Sequence, residues 1–283
     1  MKRSILRYAR PVLIVTAAAS VIWVNAGSLT PPGGPVAPTM KSLDQVEPRT
    51  PISAFGTTLT TPGSYYLTAN LDSGASTNDG ILVRADIVTI DLNGFSIIST
   101  SGAGGTSPAG IRIDGSLSPI SNVTVCNGRI TGFDRGVRVQ NSFSNIIVDN
   151  IHAAGCRRAG IEANTISGTG GQNITIRRCV VDGIDATGEG TNVSADGIAL
   201  ISCTAVVDTC VVRNVVSAGT GTGSCINAVT CPNTFIINNF LSQGSIGLKV
   251  SGGGTLVYYR DNLTAGCTTP FSISGGVDRG GNF

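Results

Sequence analysis

Gly110-Ile111-Arg112-Ile113, Gly136-Val137-Arg138-Val139 and Gly160-Ile161-Glu162-Ala163 are three successive copies of one short phrase, and its recurrence decides the fold. Each copy is a glycine, an aliphatic or β-branched residue, and then side chains that alternate between polar and apolar. Earlier and later copies are Gly80-Ile81-Leu82-Val83, Gly197-Ile198-Ala199-Leu200 and Gly247-Leu248-Lys249-Val250. Cys225-Ile226-Asn227-Ala228 keeps the pattern with cysteine in the glycine place, and Pro270-Phe271-Ser272-Ile273 is a last, degraded copy. The steps between copies are 30, 26, 24, 37, 28, 22 and 23 residues. A period of that size marks a solenoid, whose units bury their apolar faces only by stacking on one another.

A second phrase in each interval sets the type of solenoid. It is a short β-branched run ending in Asn or Cys, as in Asn122-Val123-Thr124-Val125-Cys126-Asn127 and Asn145-Ile146-Ile147-Val148-Asp149-Asn150. Residues 173–179, 205–210, 234–239 and 255–262 continue the series. Two or three short strands per coil, separated by Gly, Asn and Ser, describe an all-β chain wound as a parallel β-helix. Helical periodicity is missing from the repeats, which argues against a helical solenoid. About eight coils at a spacing of ~4.8 Å give a rod of roughly 40 Å, and the coil is expected to be right-handed, as parallel crossovers overwhelmingly are.

Composition agrees: 13% of residues are charged, 5% are aromatic, and 38 of 283 are glycine. β-Branched residues suit stacked strands, and Gly and Asn suit left-handed turn positions. Asn127, Asn150, Asn239 and Asn262 are expected at matching turns, with Cys179 and Cys210 taking the same place in other coils. These are fold residues.

Lys2, Arg3, Arg7 and Arg10 precede an apolar stretch over residues 11–24, and Val24-Asn25-Ala26 suits signal cleavage, so residues 1–26 read as an export signal. The stretch is short of the roughly 20 residues a span needs, and the sequence leaves open whether the signal is cleaved or kept as an anchor. Its removal takes four cations and leaves 15 Lys and Arg (19 less 4) against 17 Asp and Glu, a net charge of −2 in place of +2. Nucleic-acid binding thereby loses its main support. Residues 27–55 read as a Pro-rich linker, with one helical turn at 41–47, and residues 56–283 as the β-helix domain. The strand around residues 62–71 is expected to close the open end of the rod.

Pro62-Gly63-Ser64-Tyr65-Tyr66-Leu67 and the following Gly80-Ile81-Leu82-Val83, through Asp91-Leu92-Asn93-Gly94-Phe95, resemble the opening of bacterial secreted right-handed parallel β-helix proteins of the pectate-lyase-like superfamily. The resemblance covers about 80% of the chain (residues 56–273 and the Pro-rich lead) and implies the fold together with secretion or cell-surface display. It does not select an activity, because such folds host lyases, hydrolases, epimerases and phage tailspikes. The Asn-Thr-Asp, Asp-Asp, Gly-His-Gly and Arg-Ile-Lys segments of polygalacturonases are missing. So is the acid cluster of a lyase calcium site, and calcium would enter only with lyase-type chemistry. The sole histidine, His152, follows the Asn150 turn and is expected to be a turn or surface residue.

Geometry supplies the site candidates. Outward residues two apart on a strand align with those of neighbouring coils. One column is predicted as Leu82, Arg112, Arg138, Glu162, Ala199, Asn227 and Lys249, and the next as Arg84, Asp114, Gln140, Asn164, Ile201, Val229 and Ser251. Arg112, Asp114, Arg138 and Glu162 are the catalytic candidates, with Arg84, Gln140 and Asn164 for substrate binding. Arginine there would clamp a uronate carboxylate, and Asp114 or Glu162 would move a proton or bind a cation. The alternative is a ladder of Arg–carboxylate pairs that keeps the rod soluble. Loops at residues 102–109 and 183–196 would wall a cleft.

Arg157-Arg158 and Arg177-Arg178 are expected to put one residue of each pair outward, and Gly219-Thr220-Gly221-Thr222-Gly223 is a turn, since no helix follows it. All eight cysteines lie beyond the signal. Register pairs Cys179 with Cys210 and Cys203 with Cys231, as disulfides or as stacked free thiols. No Cys or His spacing indicates a metal site, and no cofactor is implied. The whole reads as an exported β-helix that binds polysaccharide or serves as a scaffold. The alternative is a polysaccharide lyase or related enzyme acting on an acidic glycan. No membrane domain is expected beyond the signal.

Overall fold

The computed structural model describes residues 49–100, 107–165, 173–252 and 256–283. The expected signal, the helical turn at 41–47, the linker as far as residue 48, and residues 102–106 of the first expected loop lie outside the described residues. Among the described residues the strands fall into two parallel sheets, one of nine strands and one of 16.

The nine-stranded sheet is built from the repeated phrase. Its strands follow chain order: Thr57–Leu59, Ile81–Val83, Ala109–Asp114, Arg135–Gln140, Ala159–Asn164, Ala195–Ile201, Gly223–Val229, Ile246–Ser251 and Thr269–Ile273. Each pairs with its counterpart one coil away, so the chain makes about eight turns. The degraded copy at Pro270 is a genuine last strand, with Leu248 opposite Phe271. The larger sheet carries the second phrase, with Val123, Ile146, Ile174 and Ala205 in one row. Inward positions are Ile, Val, Leu and Ala, nearly all buried, and they form one continuous core between the sheets. Period-2 alternation along parallel strands is what fills the interior.

Glycine begins the repeat for a packing reason. A Cβ on Gly136 would lie 2.4 Å from the Gly160 carbonyl oxygen, and one on Gly197 would lie 2.1 Å from Val212 Cγ1. The chain at this point presses against both the next coil and the opposite wall. Only a residue without a side chain fits.

Three expectations need correction. The rod begins before residue 56: Thr50–Ile52 pairs with Gly63–Leu67 on its outer side, so residues 62–71 do not form the first strand. The Asn and Cys turn residues occupy two columns, not one. Asn127, Asn150, Arg178, Thr209 and Asn238 hold the left-handed turn with φ between 53° and 61°. Cys179, Cys210, Asn239 and Asn262 sit one residue later and point inward, where Asn239 and Asn262 are 2% and 0% exposed. Finally, Arg177 and Arg178 both face outward, because the left-handed φ of Arg178 breaks the alternation.

Candidate functional site

The predicted outward columns form as expected. Arg112, Arg138, Glu162, Ala199, Asn227 and Lys249 are successive lateral neighbours, and so are Asp114, Gln140, Asn164, Ile201, Val229 and Ser251. Leu82 precedes Arg112 in the first column, and Arg84 reaches the second by hydrogen bonding to Asp114 at 3.2 Å.

Most of these charges are spent on one another. Asp114 is 6% exposed. It accepts hydrogen bonds from Arg84, from the Gln140 and Asn141 amides at 3.2 and 2.8 Å, and from the Ser116 backbone N–H. Burial alone raises its pKa, but the Gln140, Asn141 and Ser116 hydrogen bonds outweigh that and hold it below the ordinary carboxylate value. Such an acid anchors its surroundings and transfers no proton near neutrality. Glu162, also 6% exposed, accepts from Arg135 Nε at 2.6 Å and Arg138 Nε at 2.9 Å. Arg135 also bonds the buried Asp134. The ladder of Arg–carboxylate pairs is therefore present, and it is less exposed than a surface ladder.

Arg112 is placed differently. Its guanidinium grips Asp79 with two bonds of 2.7 and 2.8 Å and donates to the Ser107 carbonyl. These groups, with Thr58, Asn78, Leu82 and Pro108, line a cavity of about 340 Å³ on the outer face. Ser107 and Pro108 belong to the first expected wall. The second, residues 183–196, is tied down by an Arg157–Glu189 ion pair of 2.8 Å and by Thr220 bonding to Asn192.

Sequence reasoning missed a third outward column, made by the residue before each repeat glycine: Asp79, Ala109, Arg135, Ala159, Asp196 and Ser224. Asp196 stands apart from the other acids of the face. Among the described residues it has no ion pair within salt-bridge distance, and its Oδ2 accepts from the Asn227 amide at 3.1 Å. Burial pushes its pKa up to about 6, against the pull of Asn227, Lys249 and Ser224, and Glu162 adds repulsion. The face therefore holds one acid locked by two arginines and another that titrates near neutrality.

The remaining candidates lie elsewhere. His152 sits on the larger sheet, 3.4 Å from Arg129 through Nδ1, in a separate cavity of about 340 Å³ with Asn127 and Arg178. Burial, followed by the Arg129 charge, lowers its pKa, so the ring is neutral at pH 7. All eight thiols are free, so neither proposed disulfide is formed in this structure. The register was nonetheless right, since Cys179 meets Cys210 and Cys203 meets Cys231 thiol to thiol. Cys225 meets Cys267 in the same way. Among the described residues no group of three His, Cys, Asp or Glu could hold a metal ion, and no helix is long and apolar enough to cross a membrane.

With this geometry in view, similar structures can be placed. No protein-family model and no curated protein matches the sequence. The enzymatically active domain of tailspike protein 2 from bacteriophage CBA120 is similar over 76% of this chain, with 13% identity and a TM-score of 0.53. Pectate lyase Pel9A is similar over 81%, with 14% identity and a TM-score of 0.50. The chain shares the parallel β-helix fold with both. It spans about a third of the tailspike domain, 34%, and 67% of the lyase. At these identities the likeness is one of fold, and the β-helix's own side chains must carry any argument about function.

Proposed function

We propose that the protein is an exported polysaccharide-binding β-helix that holds a glycan chain along the outward face of its nine-stranded sheet. The observation that carries this reading is the alignment of polar side chains in three columns across successive coils. They run from the Asp79–Arg112 cavity, past Arg138 and Glu162, to Asp196, Ser224, Asn227 and Lys249. Repetition along the rod matches repetition along a polymer. The fold shared with a tailspike domain and a pectate lyase supports a carbohydrate-related role, and the basic N-terminus followed by an apolar stretch supports export.

The test is a glycan array and a calorimetric titration on wild type and Arg138→Ala, alongside an assay for uronate release. The expected result is binding by wild type that Arg138→Ala weakens. Release of unsaturated uronate would turn the reading into that of a lyase, and absence of both binding and release would overturn it.

A further inference from the structure

One outward column of the larger sheet changes character near the C-terminal end of the rod. It runs through Thr89, Thr124, Ile147 and Thr175, and then through Val206, Phe235 and Tyr258. Alternation along Val257–Arg260 turns Tyr258 and Arg260 outward and Tyr259 inward. The Phe235 and Tyr258 rings stack, with centroids 5.2 Å apart and planes 20° from parallel. From the following coil, the Arg279 guanidinium lies 5.0 Å from the Tyr258 ring centre. A cation thus caps one end of the stack. At the other end the neighbour of Phe235 is Val206, a side chain too short to cover the face of a ring, and Phe235 is 44% exposed. Val206, Phe235, Ile237, Tyr258, Arg260 and Arg279 line a groove of about 890 Å³. Small-molecule sites span roughly 300–1,000 Å³.

The lining narrows the ligand. Its walls are aliphatic or aromatic, its charged groups are two guanidiniums, and no acid is among the described residues that line it. Arginine keeps its charge and only donates. The ion pair of Arg260 with Asp261 is long, 3.7 Å, and the Arg260 side chain is 57% exposed, so a well-placed anion meets little competition. Arg260 lies one coil on and two residues along from Phe235. Strand geometry makes that about 8 Å between Cα atoms, within the span of an arginine side chain. A sugar fits this groove poorly. Its hydroxyls donate as well as accept, and apart from Asn233 and the tyrosine hydroxyls the lining side chains offer only donors and hydrocarbon. A fatty acid needs hydrocarbon on all sides of its chain, whereas Phe235 faces solvent. A flat ring carrying a carboxylate matches both halves of the groove.

We propose that this groove is a binding site for a planar aromatic carboxylate. Its ring extends the Tyr258–Phe235 stack over Val206, in the offset parallel arrangement aromatic rings favour. Its carboxylate accepts two hydrogen bonds from the Arg260 guanidinium, the geometry that arginine and carboxylate share. The site belongs to the larger sheet and stands whether or not the nine-stranded sheet binds glycan.

Calorimetric titration of the full chain with sodium naphthoate tests it. Naphthol, cyclohexanecarboxylate and galacturonate serve as comparison probes, with Phe235→Leu and Arg260→Gln as variants. Naphthoate is expected to bind at a single saturable site, more tightly than the other three. Phe235→Leu keeps apolar bulk without the ring and should weaken naphthoate about fivefold. Arg260→Gln should weaken it about tenfold and leave naphthoate and naphthol binding alike. Circular dichroism and melting temperature confirm that each variant folds. Absence of saturable binding, or wild-type affinity in either variant, would overturn the site. Naphthol binding wild type as tightly as naphthoate would do the same, because the arginine would then play no part. Galacturonate binding more tightly than naphthoate, and weakened by both variants, would give the groove to a sugar and overturn the proposal as well.

Discussion

Asp196 makes the first prediction at the level of single residues. Its pKa rises from 3.8 to about 6 on folding, so the folded state binds this proton more tightly than the unfolded chain. Protonation then favours folding. The cost of the charge is absent below about pH 4, where the carboxyl is neutral in both states, and fully present above about pH 6. Two pKa units correspond to about 3 kcal/mol. Asp196→Asn should therefore stabilise the protein by up to about 3 kcal/mol at pH 8 and by almost nothing at pH 4, measured by urea unfolding at both values. A residue whose loss strengthens the fold is one kept for another reason. Glu162 predicts the reverse. Glu162→Ala leaves Arg135 and Arg138 facing each other with side chains 12% and 20% exposed, and should cost about 3 kcal/mol. Equal stability of Glu162→Ala and wild type in the same experiment would show that solvent screens these arginines. The difference between these acids was not legible in the sequence. Alternation from each glycine onward places Glu162 and Asp114 outward, but Asp196 precedes its glycine and ends the longest interval between repeats. Reading the residue before every glycine as a column would have found it.

At the scale of strands and coils, the glycine column explains itself through its exception. Cys225 occupies the glycine position in the sixth copy and is 0% exposed. Its thiol fits because the facing strand Phe240–Gly244 ends in glycine: a Cβ on Gly244 would lie 3.0 Å from Cys225 Sγ. At most other copies the wall opposite the glycine carries a branched side chain, such as Ile130 opposite Gly110 or Val181 opposite Gly160, while Gly136 faces Ala153. One partner of each facing pair must be small. Gly244→Ala should thus destabilise by about 1–2 kcal/mol through overpacking. Cys225→Ala should lose about as much through its cavity. The double variant should cost clearly less than the sum, a coupling that a double-mutant cycle reads directly. Additive losses would mean that the two sites do not share space. Here the sequence was informative, since a strict period-2 pattern restarted by each glycine fixes register. It misled at the turns. A left-handed residue consumes one position without alternating, so Asn127 and Cys179, which close similar phrases, point to opposite sides.

Over the described β-helix, contacts run within each coil and to the coils beside it, so local opening should start at the ends and the middle should open last. The cysteines sample this gradient. Cys156, Cys179, Cys203, Cys210, Cys225 and Cys231 are buried, whereas Cys126 and Cys267 are partly exposed. Cys267 lies in the terminal coil, just before Thr269–Ile273, the last strand of the nine-stranded sheet. Cys126 is reachable, but burial together with the Asp91 and Asp149 charges pushes its pKa up to about 11, leaving little thiolate at pH 8. In reduced protein, iodoacetamide should therefore modify Cys267 first through end fraying and Cys126 more slowly. The six buried thiols should react more slowly still, Cys225 and Cys231 near the end before Cys156 and Cys179 in the middle, each followed by peptide mass spectrometry. Material purified from an oxidising compartment poses the complementary question. The three facing pairs, 179/210, 203/231 and 225/267, would then each close by loss of two hydrogens to an external oxidant. A disulfide between adjacent coils would remove its cysteines from the labelled set without altering the order of the rest. Labelling of the central thiols before Cys267 would contradict the end-to-middle gradient, and with it the picture of a rod whose units are held only by the coils on either side.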